Sequence, residues 1–227
     1  MSRRYENYDF NQYRNRYDGP DPFMILDELT EYMTIKPNMK ILDLGCGNAL
    51  SSLFLAKEFG CTVYATDWQS SSGGNYEFVK EQGFENKIYP FFAEADKLPF
   101  LPETFDAVVC INKWHAFGDR EFFFTDHIRP FLKPDAQIGI AAPGITVAAE
   151  MQKGIADKDV HGAFWSKTRC QNFFEKEFPV SICREMDCAK EAMIRWFKAA
   201  SPLSDSVPDT KYNLSAESVI IMTVGVL

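Results

Sequence analysis

The stretch Lys40-Ile-Leu-Asp-Leu-Gly-Cys-Gly-Asn-Ala-Leu50 decides the fold of this chain. An apolar run ends at an acidic residue and passes into a glycine-rich turn. Apolar side chains at Leu50, Leu53 and Phe54 then follow with helical spacing, which predicts a helix over about 49–59. A strand, a glycine turn and a helix in this order predict an α/β fold. Such a turn presents backbone N–H groups and a helix N-terminus to a polar ligand.

The spacing of the glycines narrows the choice of ligand. The dinucleotide fingerprint G-x-G-x-x-G requires a third glycine where this chain has Leu50, so a nucleotide-dependent oxidoreductase is disfavoured. The spacing acidic-x-G-x-G-x-G is met by Asp43, Gly45 and Gly47, with Ala49 in place of the last glycine. Because glycine has no Cβ, Gly45 and Gly47 would let a ligand approach the backbone closely.

Length, composition and charge exclude several classes of protein. A chain of 227 residues suits one α/β domain. Lys and Arg number 24 against 32 Asp and Glu, a net charge of −8, which disfavours a nucleic-acid partner because such proteins display a basic face. The six cysteines form no CxxC pair, which favours reduced thiols in a cytoplasmic protein. No apolar run has membrane-spanning length and the N-terminus has no signal-peptide core, so membrane insertion is not expected.

A second acidic residue lies at the end of the next predicted strand. Cys61–Thr66 reads as that strand and ends at Asp67, which follows Gly47 by 20 residues. At this offset α/β nucleotide sites place a carboxylate on the ribose hydroxyls, although an acid at a strand end is also a common helix cap. Trp68 follows, and its flat side chain could cover one face of an adenine.

Alternating apolar and polar segments continue to the C-terminus. The remaining predicted strands are 88–93, 104–112, 138–142, 180–188 and 218–226, and helices are predicted at 23–33, 121–132 and 189–199. The segment Asn112-Lys-Trp-His-Ala-Phe117 directly follows the fourth strand. Since ligands bind outside the carboxyl ends of strands in open α/β sheets, we expect this segment to border the active site.

Four features in order resemble the motifs of the class I S-adenosylmethionine (SAM)-dependent methyltransferases of the small-molecule type. They are the glycine turn, Asp67, the segment Glu94-Ala-Asp-Lys-Leu-Pro-Phe100 and the strand Thr104–Asn112. The resemblance runs from about Pro37 to Pro143. It implies an α/β, Rossmann-like, doubly wound sheet of seven mostly parallel strands with an antiparallel last strand. It also implies SAM as the cofactor.

The same resemblance implies which residues bind the cofactor. Asp67 would bind the ribose and Trp68 would lie near the adenine. Glu94 would accept from the adenine amine and the N–H of Ala95 would meet the ring, although the family usually has Asp at position 94. The methionine end and the transferred methyl group would be held by Asp43, Gly45, Cys46, Gly47 and Asn112.

The chain divides by sequence into an N-terminal segment at 1–35 and a SAM-binding domain at 36–227. Within the latter, 144–177 is aromatic and is predicted to form an insertion that walls the substrate site. Two hypotheses remain for the tyrosine-rich N-terminal arm, residues 1–20. It either packs on the surface of the domain or acts as a lid whose Tyr17 closes over the cofactor.

The sequence predicts a methyl transfer from SAM to a small molecule, with His115 as the candidate general base. The alternative for His115 is a packing role in the loop after the fourth strand. No metal is expected, because no His/Asp spacing indicates a cation site. A non-catalytic SAM-binding module, or a methyltransferase acting on RNA or protein, remains an alternative. The aromatic content predicts an enclosed, largely apolar pocket compatible with amines, phenols, quinones or lipids, and the oligomeric state is open.

Overall fold

A seven-stranded sheet forms the centre of the computed structural model, which describes residues 3–117, 120–148, 165–200 and 218–227. The strand order is β3-β2-β1-β4-β5-β7-β6. Pairing is parallel from β3 to β5, whereas β7 runs antiparallel to both of its neighbours. The predicted fold class is therefore confirmed. The strands are β1 Lys40–Leu44, β2 Thr62–Asp67, β3 Ile88–Phe92, β4 Phe105–Ile111, β5 Leu132–Ile145, β6 Val180–Glu185 and β7 Ser218–Val226.

Helices cover both faces of this sheet, as a doubly wound fold requires. Five of them contribute buried side chains to one apolar cluster, and two to the cluster on the opposite face. The helices of the first face are α2 Pro22–Leu29, α3 Leu50–Phe59, α4 Ser72–Glu81 and α7 Ala189–Ala200, joined by the short α1 Phe10–Tyr13. Those of the second face are α5 Phe123–His127 and α6 Lys167–Phe174.

Local sequence signals explain where the helices around the glycine turn begin and end. Asp21 caps α2, because its Oδ1 accepts from the N–H of Phe23 at 2.9 Å and Pro22 occupies the first turn. Helix α3 follows Ala49, which has a left-handed backbone with φ of 64°. It ends at Gly60, whose φ of 67° needs a residue without Cβ strain.

The N-terminal arm belongs to the core of the first face. Tyr8 and Tyr13 are each 4% exposed. The Tyr8 ring stacks on Phe23 at 4.1 Å, and the Tyr13 ring meets the Phe78 ring edge-on at 6.3 Å. The Tyr8 hydroxyl donates to Glu58 at 2.9 Å. The tyrosines of the arm therefore pack between α2, α3 and α4.

The helix predicted at 121–132 is shorter than expected. Helix α5 covers Phe123–His127, and a separate 3-10 turn covers Arg129–Phe131. Pro130 has no N–H to continue the helical ladder and its ring clashes with the preceding turn. At the other end, Phe122 has a left-handed φ of 62°, which delays the start of the helix.

Strand β5 is longer than the predicted 138–142, because it also includes Lys133–Gln137, a segment with turn-forming residues. The strand begins at Leu132, and its pairing register with β4 shifts between Phe105 and Ala107. Asp135 has φ of 64° within this irregularity. The turn residues thus form a bulge that keeps the chain in the sheet.

The order of the strands determines where a ligand can bind. The chain leaves β1 toward β2 on one side, whereas β4 lies on its other side, so the direction of winding reverses between β1 and β4. A crevice forms at such a switch point, outside the carboxyl ends of the strands. Within the described ranges, no helix is long and apolar enough to cross a membrane.

We expect Tyr8→Ala to lower the free energy of unfolding by about 3–5 kcal/mol, the usual cost of truncating a buried aromatic side chain to alanine. Tyr76→Ala is the matched control, since Tyr76 is 44% exposed on α4. Its effect should stay within about 0.5 kcal/mol. Urea denaturation followed by circular dichroism measures both, and equal midpoints for the two variants would show that the arm is not part of the cooperative core.

Candidate active site

The glycine turn folds back over the end of β1 and is held by β2. The N–H groups of Gly45 and Cys46 both donate to the carbonyl of Thr66, at 2.8 and 3.0 Å. Gly45 and Gly47 have φ of 76° and 53°. A Cβ on Gly45 would lie 2.6 Å from the Lys113 side chain, and one on Gly47 would collide with the Asp18 carboxylate. Gly45 therefore leaves no room for a Cβ beside Lys113, and at both positions the left-handed backbone favours glycine.

Asp43 lies beneath the turn and is fully buried. Its Oδ2 accepts from the hydroxyls of Ser51 and Ser52, at 2.6 and 2.5 Å, in the first turn of α3. Its Oδ1 is buried and has no hydrogen-bond donor among the described residues. Burial is the main cause that raises the pKa of Asp43 to about 6. Asp43 thus joins β1 to α3 and retains one unpaired acceptor.

Asp67 fastens the end of β2 to the glycine turn. Its Oδ2 accepts from the N–H of Gly47 at 3.0 Å. Its Oδ1 accepts from the N–H groups of Gln69 and Ser70, at 2.7 and 2.9 Å. A carboxylate offers about four acceptor positions, so three backbone groups leave Asp67 little remaining capacity.

The N-terminal arm supplies charged residues that the sequence analysis missed. The Nε of Arg16 donates to the carbonyl of Asn48 at 3.2 Å, and its Nη2 donates to Asn75 at 3.1 Å. The Arg16 guanidinium also lies over the Phe78 ring, 3.8 Å from its centroid. Asp18 lies against Gly47. No local sequence pattern predicts these contacts, because they join the arm to residues about thirty or more positions away.

Asn112 joins the arm to the end of β4. Its Nδ2 donates to the carbonyl of Pro20 at 2.9 Å, and its backbone adopts a left-handed φ of 57°. Its Oδ1 is buried without a hydrogen-bond donor in the described part of the chain. Next to it, the Lys113 ammonium lies 3.4 Å from the Asp18 carboxylate.

These residues enclose a cleft between the arm and the glycine turn, which we call the switch-point cleft. It encloses about 300 Å³, including space open to solvent. Its lining includes Arg16, Asp18, Gly45, Cys46, Asn48 and Asn112. The ring of Tyr17 lies instead against Phe10 and Phe23, at 5.5 and 6.4 Å.

The predicted adenine residues lie at the same edge of the sheet as Asp67. The N–H of Ala93 donates to the carbonyl of Asp67 at 3.1 Å, which brings the adjoining Glu94 and Ala95 alongside β2. Glu94 is exposed and pairs with Lys97 at 2.5 Å. Trp68 is 51% exposed. The structure thus brings these residues to one rim, with Glu94 and Trp68 accessible to a ligand.

His115 lies at a second cavity, three residues beyond Asn112. This cavity also includes Trp114, Trp165 and Phe174 in its lining. The His115 side chain keeps an exposed surface. Burial of the remainder lowers the pKa of His115, and the nearby Lys113 ammonium lowers it further. A lowered pKa leaves the imidazole neutral at pH 7, so it can accept a proton.

Among the residues that the structure describes, no group of three or more His, Cys, Asp or Glu side chains could hold a metal ion. The acids of the site are committed to other partners, Asp43 to serine hydroxyls and Asp67 to backbone N–H groups.

We expect Asp43 to make stability depend on pH. The unfolded carboxyl releases its proton near pH 3.8, whereas the folded one keeps it until about pH 6. The wild-type free energy of unfolding should therefore fall, relative to that of Asp43→Asn, by roughly 3 kcal/mol between about pH 4 and pH 6. Denaturant titrations at a series of pH values measure the difference in the free energy of unfolding between the two proteins. The contributions of the other acids are the same in both and cancel in this difference. Parallel curves across this range would contradict the assignment.

Several comparisons with known proteins match methyltransferases. The family model of a methyltransferase domain matches residues 41–135. A methyltransferase of Streptomyces halstedii is 26% identical over 116 residues, which cover 51% of this chain and 41% of that protein. A sterol 24-C-methyltransferase of Gibberella zeae is 30% identical over 115 residues, covering 49% of this chain and 30% of that protein. The matches thus span less than half the length of these curated relatives.

The fold agrees over nearly the whole chain with a solved methyltransferase. The structure of Haemonchus contortus phosphoethanolamine N-methyltransferase 2, in complex with S-adenosylhomocysteine, superposes with a TM-score of 0.68 at 15% identity. It covers 96% of this chain and 56% of that one. Residues 41–135 of this chain thus match a methyltransferase domain, and the glycine turn and strand order agree with the Rossmann-like fold of the class I SAM-dependent methyltransferases, whose cofactor is S-adenosylmethionine.

Proposed function

We propose that this protein transfers a methyl group from SAM to a small-molecule acceptor. The observation that carries the proposal is the switch-point cleft, where Gly45 and Cys46 of the glycine turn lie beside the oppositely charged side chains of Arg16 and Asp18. One positive and one negative side chain suit a ligand that carries both a carboxylate and an ammonium group.

The residues present fit the methionine end of SAM. The Asp18 carboxylate could accept from the ammonium group, while Arg16 brings positive charge toward the ligand's carboxylate. Arg16 is held by Asn48, Asn75 and the Phe78 ring, so its guanidinium is fixed before the ligand arrives. The buried Asp43 supports this wall from below.

The ribose and the adenine would extend along the rim formed by β2 and β3. Asp67 would accept from a ribose hydroxyl with its remaining acceptor position or in place of the Gly47 N–H. Glu94 is exposed and paired with Lys97, and could turn toward the adenine amine. Trp68 offers an exposed indole face beside them.

When bound, SAM supplies an electrophilic methyl group on a sulfonium, which passes to a nucleophile as the carbon–sulfur bond breaks. The chain's part is to align the acceptor and to keep water out. His115 would take the proton from an acceptor hydroxyl or ammonium, since its lowered pKa keeps the imidazole neutral at pH 7. Its exposed surface would then let that proton reach solvent.

A small acceptor is supported by the charge and by the relatives. The net charge of −8 opposes a nucleic-acid substrate. One of the compared relatives carries a sterol in its name and another a phosphoethanolamine. A non-catalytic SAM-binding module would share the cleft and would differ only in showing no methyl transfer to any acceptor.

We expect calorimetric titration to show binding of SAM and of S-adenosylhomocysteine, and no binding of NAD. Asp67→Asn should weaken both by about 10- to 100-fold, the effect of losing hydrogen bonds to a charged acceptor. Asp187→Asn is the control, because the Asp187 side chain is 79% exposed and lies beyond β6. Absence of SAM binding by the folded wild-type protein would refute the proposal.

We expect His115→Gln to lower turnover by about 100-fold or more with the SAM affinity unchanged, because a general base usually contributes at least this factor. Wild-type kcat/KM should fall as the pH falls below the lowered pKa of His115, since protonation removes the base. His127→Gln is the matched control, as His127 packs on the Phe123 ring away from the second cavity. Equal turnover of the two variants would exclude His115 from the mechanism.

A further inference from the structure

The last residues of the N-terminal arm cross the switch-point cleft as a strap, residues 16–21, which is attached at both ends. At its start, the Nε of Arg16 donates to the Asn48 carbonyl at 3.2 Å, and the Asn48 Nδ2 donates to the Arg16 carbonyl at 3.0 Å. At its end, the carboxylate of Asp21 is buried and pairs with Arg195 of α7 at 3.2 Å. Lifting the strap as a whole would therefore break both attachments.

Asp18 lies between these attachments, directly over the glycine turn. A Cβ on Gly47 would collide with its carboxylate. The same carboxylate lies 3.4 Å from the Lys113 ammonium, which comes from the end of β4. The Asp18 side chain is 45% exposed and that of Lys113 is 21% exposed. Because it is half-exposed, the Asp18 carboxylate can change its partner while both ends of the strap stay attached.

The cleft has little free space while this ion pair is formed. Only about 20 Å³ of it can hold the centre of a water molecule, which is room for about one water. The amino-acid end of SAM is much larger, so a side chain at the cleft must shift when it binds. Arg16 is held by two acceptors and by the Phe78 ring, and Asn112 donates to the carbonyl of Pro20. Asp18 is thus the side chain that can move at the lowest cost.

The ion pair of Asp18 resembles the contact that the cofactor would make. The side chain of Lys113 ends in a primary ammonium group with three donors, and the amino group of SAM is also a primary ammonium. A ligand ammonium that reaches Asp18 must compete with Lys113, because two like charges at one carboxylate repel each other. A partly exposed ion pair contributes little free energy, so this competition can be won by a ligand that makes further contacts.

We propose that Lys113 is a positioning residue: its ammonium holds Asp18 over the glycine turn in the free protein, and the ammonium group of SAM displaces it as the partner of Asp18. The proposal rests on the proposed function, because it takes SAM to bind in the switch-point cleft. One ion pair replaces another, and no covalent bond changes. Lys113 therefore competes with the cofactor, and its charge lowers the affinity for SAM. A direct contact of Lys113 with the carboxylate of SAM would have the opposite effect.

Removing the Lys113 charge tests the direction of this effect. In calorimetric titrations, Lys113→Gln should bind S-adenosylhomocysteine about two- to fivefold more tightly than the wild-type protein, the value of one partly exposed ion pair. Lys113→Arg retains the positive charge and should bind as the wild-type protein does. Lys133→Gln is the matched control, because it removes the ion pair with Asp106 at the opposite end of β4 and should leave the affinity unchanged.

A second ligand shows whether the effect acts through the ammonium group. Methylthioadenosine has the adenine, the ribose and the sulfur of the cofactor, but neither its ammonium group nor its carboxylate. Its affinity should be the same for the wild-type protein and for Lys113→Gln. If both ligands gained equally in Lys113→Gln, the proposal would be overturned, since the gain could not come from competition between ammonium groups.

The affinity for S-adenosylhomocysteine also separates the proposal from the proposed function. An unchanged or lower affinity of Lys113→Gln overturns the role of Lys113 alone, and a lower one assigns Lys113 to the carboxylate of the ligand. The ligand still binds in either case, so the proposed function stands. Absence of binding by the wild-type protein and by both Lys113 variants, each shown to be folded by circular dichroism, refutes the proposed function and this proposal with it.

Discussion

The hydrogen bonds of one buried carboxylate position the whole candidate site. Asp67 accepts from Gly47 in the glycine turn and from Gln69 and Ser70 beyond β2. The first bond fixes the turn against its neighbouring strand, and the other two start the path toward α4. If this carboxylate were absent, three buried or half-buried N–H groups would lose their acceptor, and the left-handed backbone of the turn would lose its support.

The arm depends on that turn and completes it. Glycine at position 47 leaves room for Asp18, and glycine at 45 leaves room for Lys113, so that the two side chains meet across the turn at 3.4 Å. Behind them Tyr8 and Tyr13 are buried among α2, α3 and α4. Much apolar surface therefore anchors the arm, while its last residues remain at the cleft. This arrangement could place charged groups on a ligand without a large closing motion.

The two cavities differ in chemistry although both are lined by residues at or after the end of β4. The switch-point cleft has charged and amide groups, and the second cavity has indoles and aliphatic side chains. The loop from Asn112 to His115 passes from one to the other. Desolvation would oppose the entry of a charged group into the second cavity, because burying a charge without a partner is costly.

Sequence by itself determined the elements whose signals are local. The unit of β1, the glycine turn and α3 follows from the apolar run, the glycines at 45 and 47 and the helical spacing after Ala49. The offset from Gly47 to Asp67 follows from the length of one helix and one strand. Local signals did not predict the bounds of elements that depend on a neighbouring strand. Strand β5, for example, begins at Leu132 because it pairs there with β4. Helix α5 stops before Pro130, which lies in the following 3-10 turn. The contacts of Arg16 with Asn75, and the meeting of Trp114 and Trp165 at one cavity, join residues about fifty or more positions apart. Only the packed tertiary structure brings such pairs together, because side-chain contacts across the sheet leave no periodic trace in the chain.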